Sequence, residues 1–387
     1  MYELRTYQKE AVKAAVDFFQ NTKKKTNGLL VLPTGSGKSL VIAAIADALD
    51  APVLIFQPSK EILEQNYAKM LSYQPYGVGI YSASFNRREV DRITFATIGS
   101  VKNHKEDFAA FKYVIVDEAH GVNAVEGMYK DFFETIKCKI LGLTATPYRL
   151  ASTMSGSILK FLTRTRPRIF SEVLYVCQTA DLARDGYLAP MNYYRMNIVD
   201  TSLLQVNTTG ADYTDRSVRK LYKEIRFNDT LENTIVRLLN AGRRSILVFT
   251  RFVEEADYAV GCLNHAGHKA AVVSADTPKK ERAAILEAFK SGEISVVANV
   301  GILTTGFDFP ALNTVVLARP TMSLALYYQM CGRAIRPFPG KTSWVVDMCG
   351  NFKRFGRVEG LYLHEVKSGL WAVFQGNKQL TNVFLTK

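Results

Sequence analysis

The sequence predicts an α/β chain of two tandem units, each a parallel sheet with helices on both faces, followed by a small β-rich C-terminal tail. Three observations carry this reading. Short apolar runs alternate with helical stretches from residue 27 to about 150. A second series of the same kind begins near Ile246. Within the first series, "LLVLPTGSGKSLVI" passes from an apolar run through a glycine-bearing loop into an apolar-periodic run. Alternation of this type gives a parallel sheet. A chain of 387 residues with 48% hydrophobic content is long enough for two cores.

In the first unit the expected strands are Leu29–Leu32, Val53–Phe56, Ile93–Ala96, Tyr113–Val116 and Ile140–Leu143. Each is a short continuous apolar run, as a strand buried on both faces should be. From Ala151 to about Arg195 the pattern is less regular. "TMSGS" and "TRTRPR" read as a mobile loop, and "SEVLYVCQTADLARDGYLAP" as a strand and helix completing the first unit. In the second unit "ILVFT", "KAAVV", "SVVAN", "TVVLA" and "SWVVD" are the strands, with helices over Val253–His265 and Pro278–Phe289. "LYLHEV", "LWAVFQ" and "LTNVFL" predict a small antiparallel meander capping an edge of the second unit. The expected boundaries are 1–190, 191–350 and 351–387.

Composition narrows the partners. The net charge is +13, spread over clusters such as Lys23–Lys25, Arg87–Arg88, Arg164/Arg166/Arg168 and Lys353–Arg354. Taken together they point to a polyanion, meaning nucleic acid. No apolar run reaches membrane-spanning length, and the N-terminal residues do not form a signal peptide. Five scattered cysteines without a C-x-x-C pair argue against zinc or disulfides and fit a reducing cytoplasm.

The glycine-bearing loop reads as a phosphate site. Pro33, Thr34, Gly35, Ser36 and Gly37 would curl backbone N–H groups into one concavity. Lys38 would reach the β- and γ-phosphates of a nucleoside triphosphate, and the Ser39 hydroxyl would ligate Mg²⁺. The strict G-x-x-x-x-G-K-[ST] pattern is not met, because Leu32 stands where its first glycine belongs. "YVIVDEAHG" ends a strand of the same unit with two carboxylates. Asp117 is placed to hold the metal, and Glu118 to orient and deprotonate the attacking water. In "LYYQMCGRAIRPFP", Gln329, Gly332, Arg333 and Arg336 would share one helix face. Gln329, Arg333 and Arg336 are therefore the catalytic candidates of the second unit, the arginines stabilising charge on the transferring phosphoryl group.

These motifs in this order resemble those of the superfamily 2 helicases over about residues 4–350. "LRTYQ", "LPTGSGKS", "DEAH", "TAT", "TTGFDFP" and "QMCGRAIR" match its adenine-reading element and its motifs I, II, III, V and VI. "LRxYQ", "GLTATPxR", "DGYLAP" and "GRAIRP" look most like the RadD-like DNA repair helicases, near XPB and the translocating subunits of restriction enzymes. The resemblance implies two RecA-like domains, with ATP and Mg²⁺ as cofactors. It implies that Arg5, Gln8, Gly306 and Asp308 join the loop in binding ATP, and that His120, Thr144 and Thr146 couple the two domains. It implies nucleic-acid contacts from Gln57, Pro58, Ser59, Thr97, Ser100, Thr250, Arg251, Thr304 and Thr305. The expected protein is a monomeric ATP-dependent helicase or translocase acting on single-stranded, duplex or branched DNA, with RNA remodelling or an ATP-gated clamp as the alternatives. A repair, recombination or replication role, with proteins of those processes as partners, in a bacterial or bacteriophage-like cytoplasm, completes the expectation. The resemblance departs at its end, where RadD-like chains continue into a cysteine cluster.

Overall fold

The computed structural model describes residues 3–23, 25–153, 156–304 and 306–384, with the backbone alone for 152, 153 and 156. It contains two compact units. The first comprises Met1–Ala151, Leu159–Gln178 and Tyr362–Val383. The second comprises Ser152–Ile158, Thr179–Leu361 and Phe384–Lys387.

The first unit is built on an eight-stranded sheet. Across it the strands run Glu172–Val176, Gly28–Val31, Lys139–Thr144, Tyr113–Asp117, Val53–Phe56, Ile93–Ala96, Val78–Ser82 and Arg87–Arg88. All pair in parallel except the last, which runs antiparallel to Val78–Ser82. The order departs from chain order, so the crossovers place helices on both faces. The helix Lys38–Ala48 is apolar nearly all round and buries Val41 through Ala46. Gly142 is required for space: a Cβ there would lie 2.7 Å from the Ala119 methyl and from Phe170. That close approach lets the turn after Asp117 settle against the neighbouring strand.

The second unit has a six-stranded sheet, all parallel, in the order Met191–Arg195, Ser343–Asp347, Thr314–Ala318, Ile246–Thr250, Val296–Val300 and Ala270–Val273. Its core includes Val248, Val316, Leu263 and Phe227. Among the described residues no helix is long and apolar enough to cross a membrane.

Several expectations change. The strand Glu172–Val176 joins the first sheet, but the helix after it, Thr179–Arg184, belongs to the second unit. There the Thr179 hydroxyl lies 3.1 Å from the Tyr328 hydroxyl. The stretch around "TMSGS" is strand on both sides, Tyr148–Thr153 and Gly156–Phe161, although Met154 and Ser155 lie outside the described residues, as does Lys24. Strands Val78–Ser82 and Met191–Arg195 were not expected. The tail is not one piece. Asn351–Phe355 is a helix of the second unit, whereas the three-stranded sheet of Leu361–Lys367, Leu370–Gln375 and Lys378–Gln379 lies almost wholly in the first. Its third strand precedes "LTNVFL", whose Leu385 is outside the described residues. The Gln178 amide fastens this sheet to the first unit, donating to the Leu363 carbonyl at 2.8 Å and accepting from the Leu363 N–H at 3.0 Å. The tail therefore sits beside an edge strand of the first sheet, not the second.

Asn351 is buried and donates to the Arg319 carbonyl at 3.0 Å and to Asp347 at 3.1 Å, while accepting from the Thr321 N–H at 3.0 Å. Asn351→Leu leaves those groups unsatisfied and is expected to destabilise the chain by about 1–3 kcal/mol. Urea unfolding measures this. A chain ending at Leu361 keeps this network, and one ending at Gly350 loses it. The second truncation should therefore unfold at markedly lower urea than the first. Equal midpoints would show that the network carries no stability.

Candidate active site

The C-terminal ends of three adjacent strands, Gly28–Val31, Lys139–Thr144 and Tyr113–Asp117, assemble the site in the first unit. After the first strand the loop turns through Gly35 (φ 85°) and Gly37 (φ 77°), both left-handed conformations that glycine adopts without a steric penalty. The loop is braced from the N-terminus of helix Thr6–Gln20. Gln8, which is buried, donates from Nε2 to the Ser36 carbonyl at 2.8 Å, and the Tyr7 hydroxyl donates to the same oxygen at 2.7 Å. Gln8 Oε1 accepts from the Arg5 N–H at 2.9 Å. Both ends of the Gln8 amide thus bond to backbone, and the side chain braces the glycine loop. A side chain at residue 37 would put its Cβ 2.7 Å from Gln8 Nε2.

Lys38 Nζ lies 3.2 Å from Glu118 Oε1. Glu118 sits in the left-handed region (φ 49°), a conformation that costs a non-glycine residue about 1–2 kcal/mol. The turn aims its carboxylate at Lys38 on one side and at His120 Nδ1, 3.3 Å away, on the other. His120 Nδ1 is also 3.0 Å from Thr144 Oγ1 and 3.1 Å from Thr146 Oγ1. The structure therefore joins the DEAH segment to the "TAT" segment through one imidazole. Burial acts to raise the Glu118 carboxyl, but Lys38 and His120 outweigh it and hold the group well below the usual carboxylate range.

Asp117 is 5% exposed and accepts from the Glu118 N–H at 2.9 Å and from Asn66 Nδ2 at 3.3 Å. Burial, reinforced by the Glu118 charge, pushes its carboxyl up to about 6. Its folded value lies above the unfolded one. The carboxyl therefore favours folding below pH 4, and that contribution is lost as the pH rises from about 4 to 6. A desolvated carboxylate of this kind fits a cation as its missing partner. Among the described residues no cluster of three or more His, Cys, Asp or Glu could hold a metal alone. The donor set, one hydroxyl and one carboxylate, suits Mg²⁺ completed by phosphate oxygens and water. Ser36 Oγ, buried without a hydrogen-bond partner, adds an unused polar atom to the loop.

Asn66 was missed by sequence reasoning. It lies mid-helix in "KEILEQNYAKML" and donates to Gln57 Oε1 at 2.9 Å as well as to Asp117. A lone Asn in a polar helical run carries no signal that would single it out. Gln57 is 1% exposed and accepts from the same Asn66 amide that donates to Asp117, so its side chain presents almost no surface. Ser59 caps the helix Lys60–Leu71 by accepting from the Ile62 N–H at 3.4 Å. Thr97 Oγ1 and Ser100 Oγ lie 2.9 Å apart, and Ser100 Oγ accepts from the Ala83 N–H at 2.9 Å. Pro58 is exposed.

In the second unit the arginine-bearing helix stops sooner than expected. It spans Leu324–Cys331, so Gly332, Arg333 and Arg336 leave the helix and share no helical face with Gln329. The segment instead turns back onto "TTGFDFP". Arg333 Nη1 donates to the Phe307 carbonyl at 2.7 Å, and Arg336 pairs with Asp308. Burial lowers the Arg336 guanidinium to about 10, which leaves it charged at neutral pH. Gly306 adopts φ 74° beside them. Thr304 is half-buried, and Thr305 lies outside the described residues. Thr250 is buried. Arg251 departs from its expected place on a strand-binding surface. Its side chain is 9% exposed, donates to the Tyr213 carbonyl at 2.6 Å and pairs with Asp215 at 2.8 Å, so its charge is committed internally.

The family described as "Type III restriction enzyme, res subunit" matches residues 1–149, and "Helicase conserved C-terminal domain" matches residues 228–337. A "51.5 kDa protein" of a Lactococcus phage (isolate 7-9) is 28% identical over 328 residues, covering 84% of this chain and 66% of that protein. "DNA 3'-5' translocase XPB2" of Sulfurisphaera tokodaii is 26% identical over 364 residues, covering 86% of this chain and 79% of that one. The fragment structure of a putative HsdR subunit of a type I restriction enzyme from Vibrio vulnificus superposes with a TM-score of 0.69 at 21% identity, covering 92% of this chain and 66% of that one. Other curated relatives are longer, and the chain spans about half their length. The shared fold is a pair of tandem RecA-like domains, and this chain carries a small antiparallel sheet near its C-terminus.

Proposed function

Because the chain belongs to the superfamily 2 helicases, related to XPB and to restriction-enzyme subunits, we propose that it is an ATP-dependent DNA translocase or helicase. One observation carries the proposal. Lys38, Glu118 and His120 form a continuous chain of polar contacts from the glycine loop to Thr144 and Thr146. In this reading Gly35 to Gly37 cradle phosphates, Lys38 leaves Glu118 for the β- and γ-phosphates, and Ser39 and Asp117 hold Mg²⁺. The cation would supply charge neutralisation on the phosphate oxygens. Glu118, released from Lys38 and so made more basic, takes the proton of the attacking water. His120 transmits the change to Thr144 and Thr146. Arg333 and Arg336 act from the second unit on the charge of the transition state. Gly306 and Asp308 lie beside these arginines and link nucleotide to strand.

The strand contacts assigned to Pro58, Ser59, Thr97, Ser100 and Thr304 are hydroxyls and backbone at strand ends, which grip phosphates without reading bases. Such contacts barely distinguish DNA from RNA, so RNA remodelling is the second reading. The repair role implied by the RadD-like resemblance, and a bacterial or phage setting, go with this proposal.

ATPase rates with single-stranded DNA, duplex DNA, forked DNA and RNA separate these readings. Stimulation by DNA above RNA is expected, and stimulation by RNA alone would replace the DNA motor by a remodelling enzyme. Displacement of a blocking group from either end of a strand reads direction; the XPB relative makes 3'-to-5' movement the expected result. Lys38→Ala should abolish measurable hydrolysis, because the phosphates lose their main cationic partner. Binding should be largely sequence-independent and weaken steeply with salt, each phosphate contact adding roughly 0.7 to the log–log slope on a single strand. A slope near zero would remove the motor reading of the basic surface.

A further inference from the structure

The arginine-rich segment "TRTRPR" plays no part in the candidate active site, yet two adjoining cavities of the first unit meet at it. The larger, about 780 Å³, opens where the strands Tyr113–Asp117 and Lys139–Thr144 begin, and Tyr113, Lys139 and Ile140 line it. The glycine loop and Glu118 lie at the opposite ends of this sheet. Strands of five and six residues separate the two ends by roughly 15–20 Å.

The cavity wall carries Lys25, Lys112, Lys130, Lys137, Lys139 and Arg168 against a single carboxylate, Glu134. Glu134 is engaged by Lys130 at 2.8 Å. Lys139 donates to the Asn21 carbonyl at 2.8 Å and to that of Phe18. Lys25, Lys112, Lys137 and Arg168 are exposed and have no carboxylate partner among the described residues. Burial pushes the Cys138 thiol up to about 12, so it contributes no negative charge. Between the cations lie the half-buried rings of Tyr113 and Phe133, with Phe19 buried behind Tyr113. The smaller cavity, about 300 Å³, shares Ala124, Pro167 and Ile169 with the first and adds Arg149, Lys160 and Arg166, with no carboxylate in its lining.

Clustered cations without a carboxylate partner favour an anion with repeated charge. Aromatic walls between them suit planar bases, which stack on any aromatic face regardless of sequence. The larger volume lies within the range of ligand clefts and is a size suited to nucleotides of one strand, not to a duplex. We propose that this end of the first unit is a second binding site for single-stranded nucleic acid, separate from the strand contacts of the motor. The inference rests on the motor reading only in taking nucleic acid as the partner.

The test uses the full chain carrying Lys112→Glu, Lys137→Glu and Arg168→Glu, with the alanine triple variant beside it. Binding is measured across a salt series for a long single strand and for a short one of about 8 nucleotides, within the span of a single groove. The expected result is a loss of about tenfold or more in long-strand affinity, and a log–log salt slope shallower by about 2. Short-strand affinity and short-strand-stimulated ATPase stay at wild-type levels. The alanine variant should show a smaller loss in the same direction, and ultraviolet crosslinking of a thymidine strand should recover peptides containing Tyr113 or Phe133. Long-strand binding and slope unchanged in both variants overturn the proposal. So does displacement of the long strand by poly-glutamate as effectively as by nucleic acid at equal charge, which reassigns the cavity to acidic polypeptides. Failure of any strand to stimulate the wild-type ATPase would sink the motor reading instead, and leaves the binding measurement intact.

Discussion

Glu118→Gln is expected to bind ATP at least as well as the parent chain and to turn it over roughly 10²–10⁴-fold more slowly. The amide matches the carboxylate in shape, so the left-handed turn at residue 118 and its packing against Gly142 survive. What it loses is the ability to accept a proton. The parent carboxylate rests ionised beside Lys38 despite its burial, and the departure of Lys38 to the phosphates raises its basicity. The substitution also removes the ion pair that holds Lys38, 3.2 Å away, so Lys38 starts free for phosphate. Affinity should therefore stay level or rise while turnover collapses. Nucleotide binding by fluorescence and single-turnover hydrolysis separate the two effects. Near-parental turnover would show that another group takes the proton, and weakened binding would show that Glu118 holds the loop in shape.

Arg336→Ala is expected to retain ATP binding and lose roughly 10³–10⁵ in hydrolysis, the range found where an arginine stabilises phosphoryl-transfer charge. Arg336→Lys should not restore it, because an ammonium lacks the planar fork that meets two oxygens at once. The pair with Asp308 shows that the guanidinium already has a carboxylate partner within its own unit. Asp308→Asn should therefore slow hydrolysis less than Arg336→Ala, since it frees the arginine and leaves its charge in place. That Arg336 serves the nucleotide bound by its own chain is tested by mixing inactive Lys38→Ala chains with inactive Arg336→Ala chains in the presence of DNA. A monomer leaves every site defective. A ring, with one chain's arginine serving its neighbour, would regain activity and overturn the monomeric motor.

Much of the site was legible because its motifs are local. A strand, a loop and a helix in sequence fix where Gly35, Gly37, Lys38 and Ser39 must lie. A buried strand ending in Asp117 and Glu118 likewise fixes the carboxylates at the end of a parallel sheet. The strands themselves announced their burial by continuous apolar runs. Less was legible at the ends of elements. The helix ending at Cys331 was overextended because Gly332, Arg333 and Arg336 keep a helical spacing, although the backbone turns off to meet Phe307 and Asp308.

By itself the sequence determined the fold class, the two-unit organisation, the glycine loop, the acidic strand end and the excess of positive charge, because each is set by neighbours in the chain. Only the tertiary structure decided that Gln8 braces Ser36, that Asn66 links Gln57 to Asp117, and that Arg251 spends its charge on Asp215. It alone placed the tail strands beside the first sheet and gathered Lys25, Lys112, Lys137 and Arg168 around one cavity. These outcomes depend on which distant groups exclude water from each other. Burial and pairing at long separation leave no period in the sequence from which they could be read.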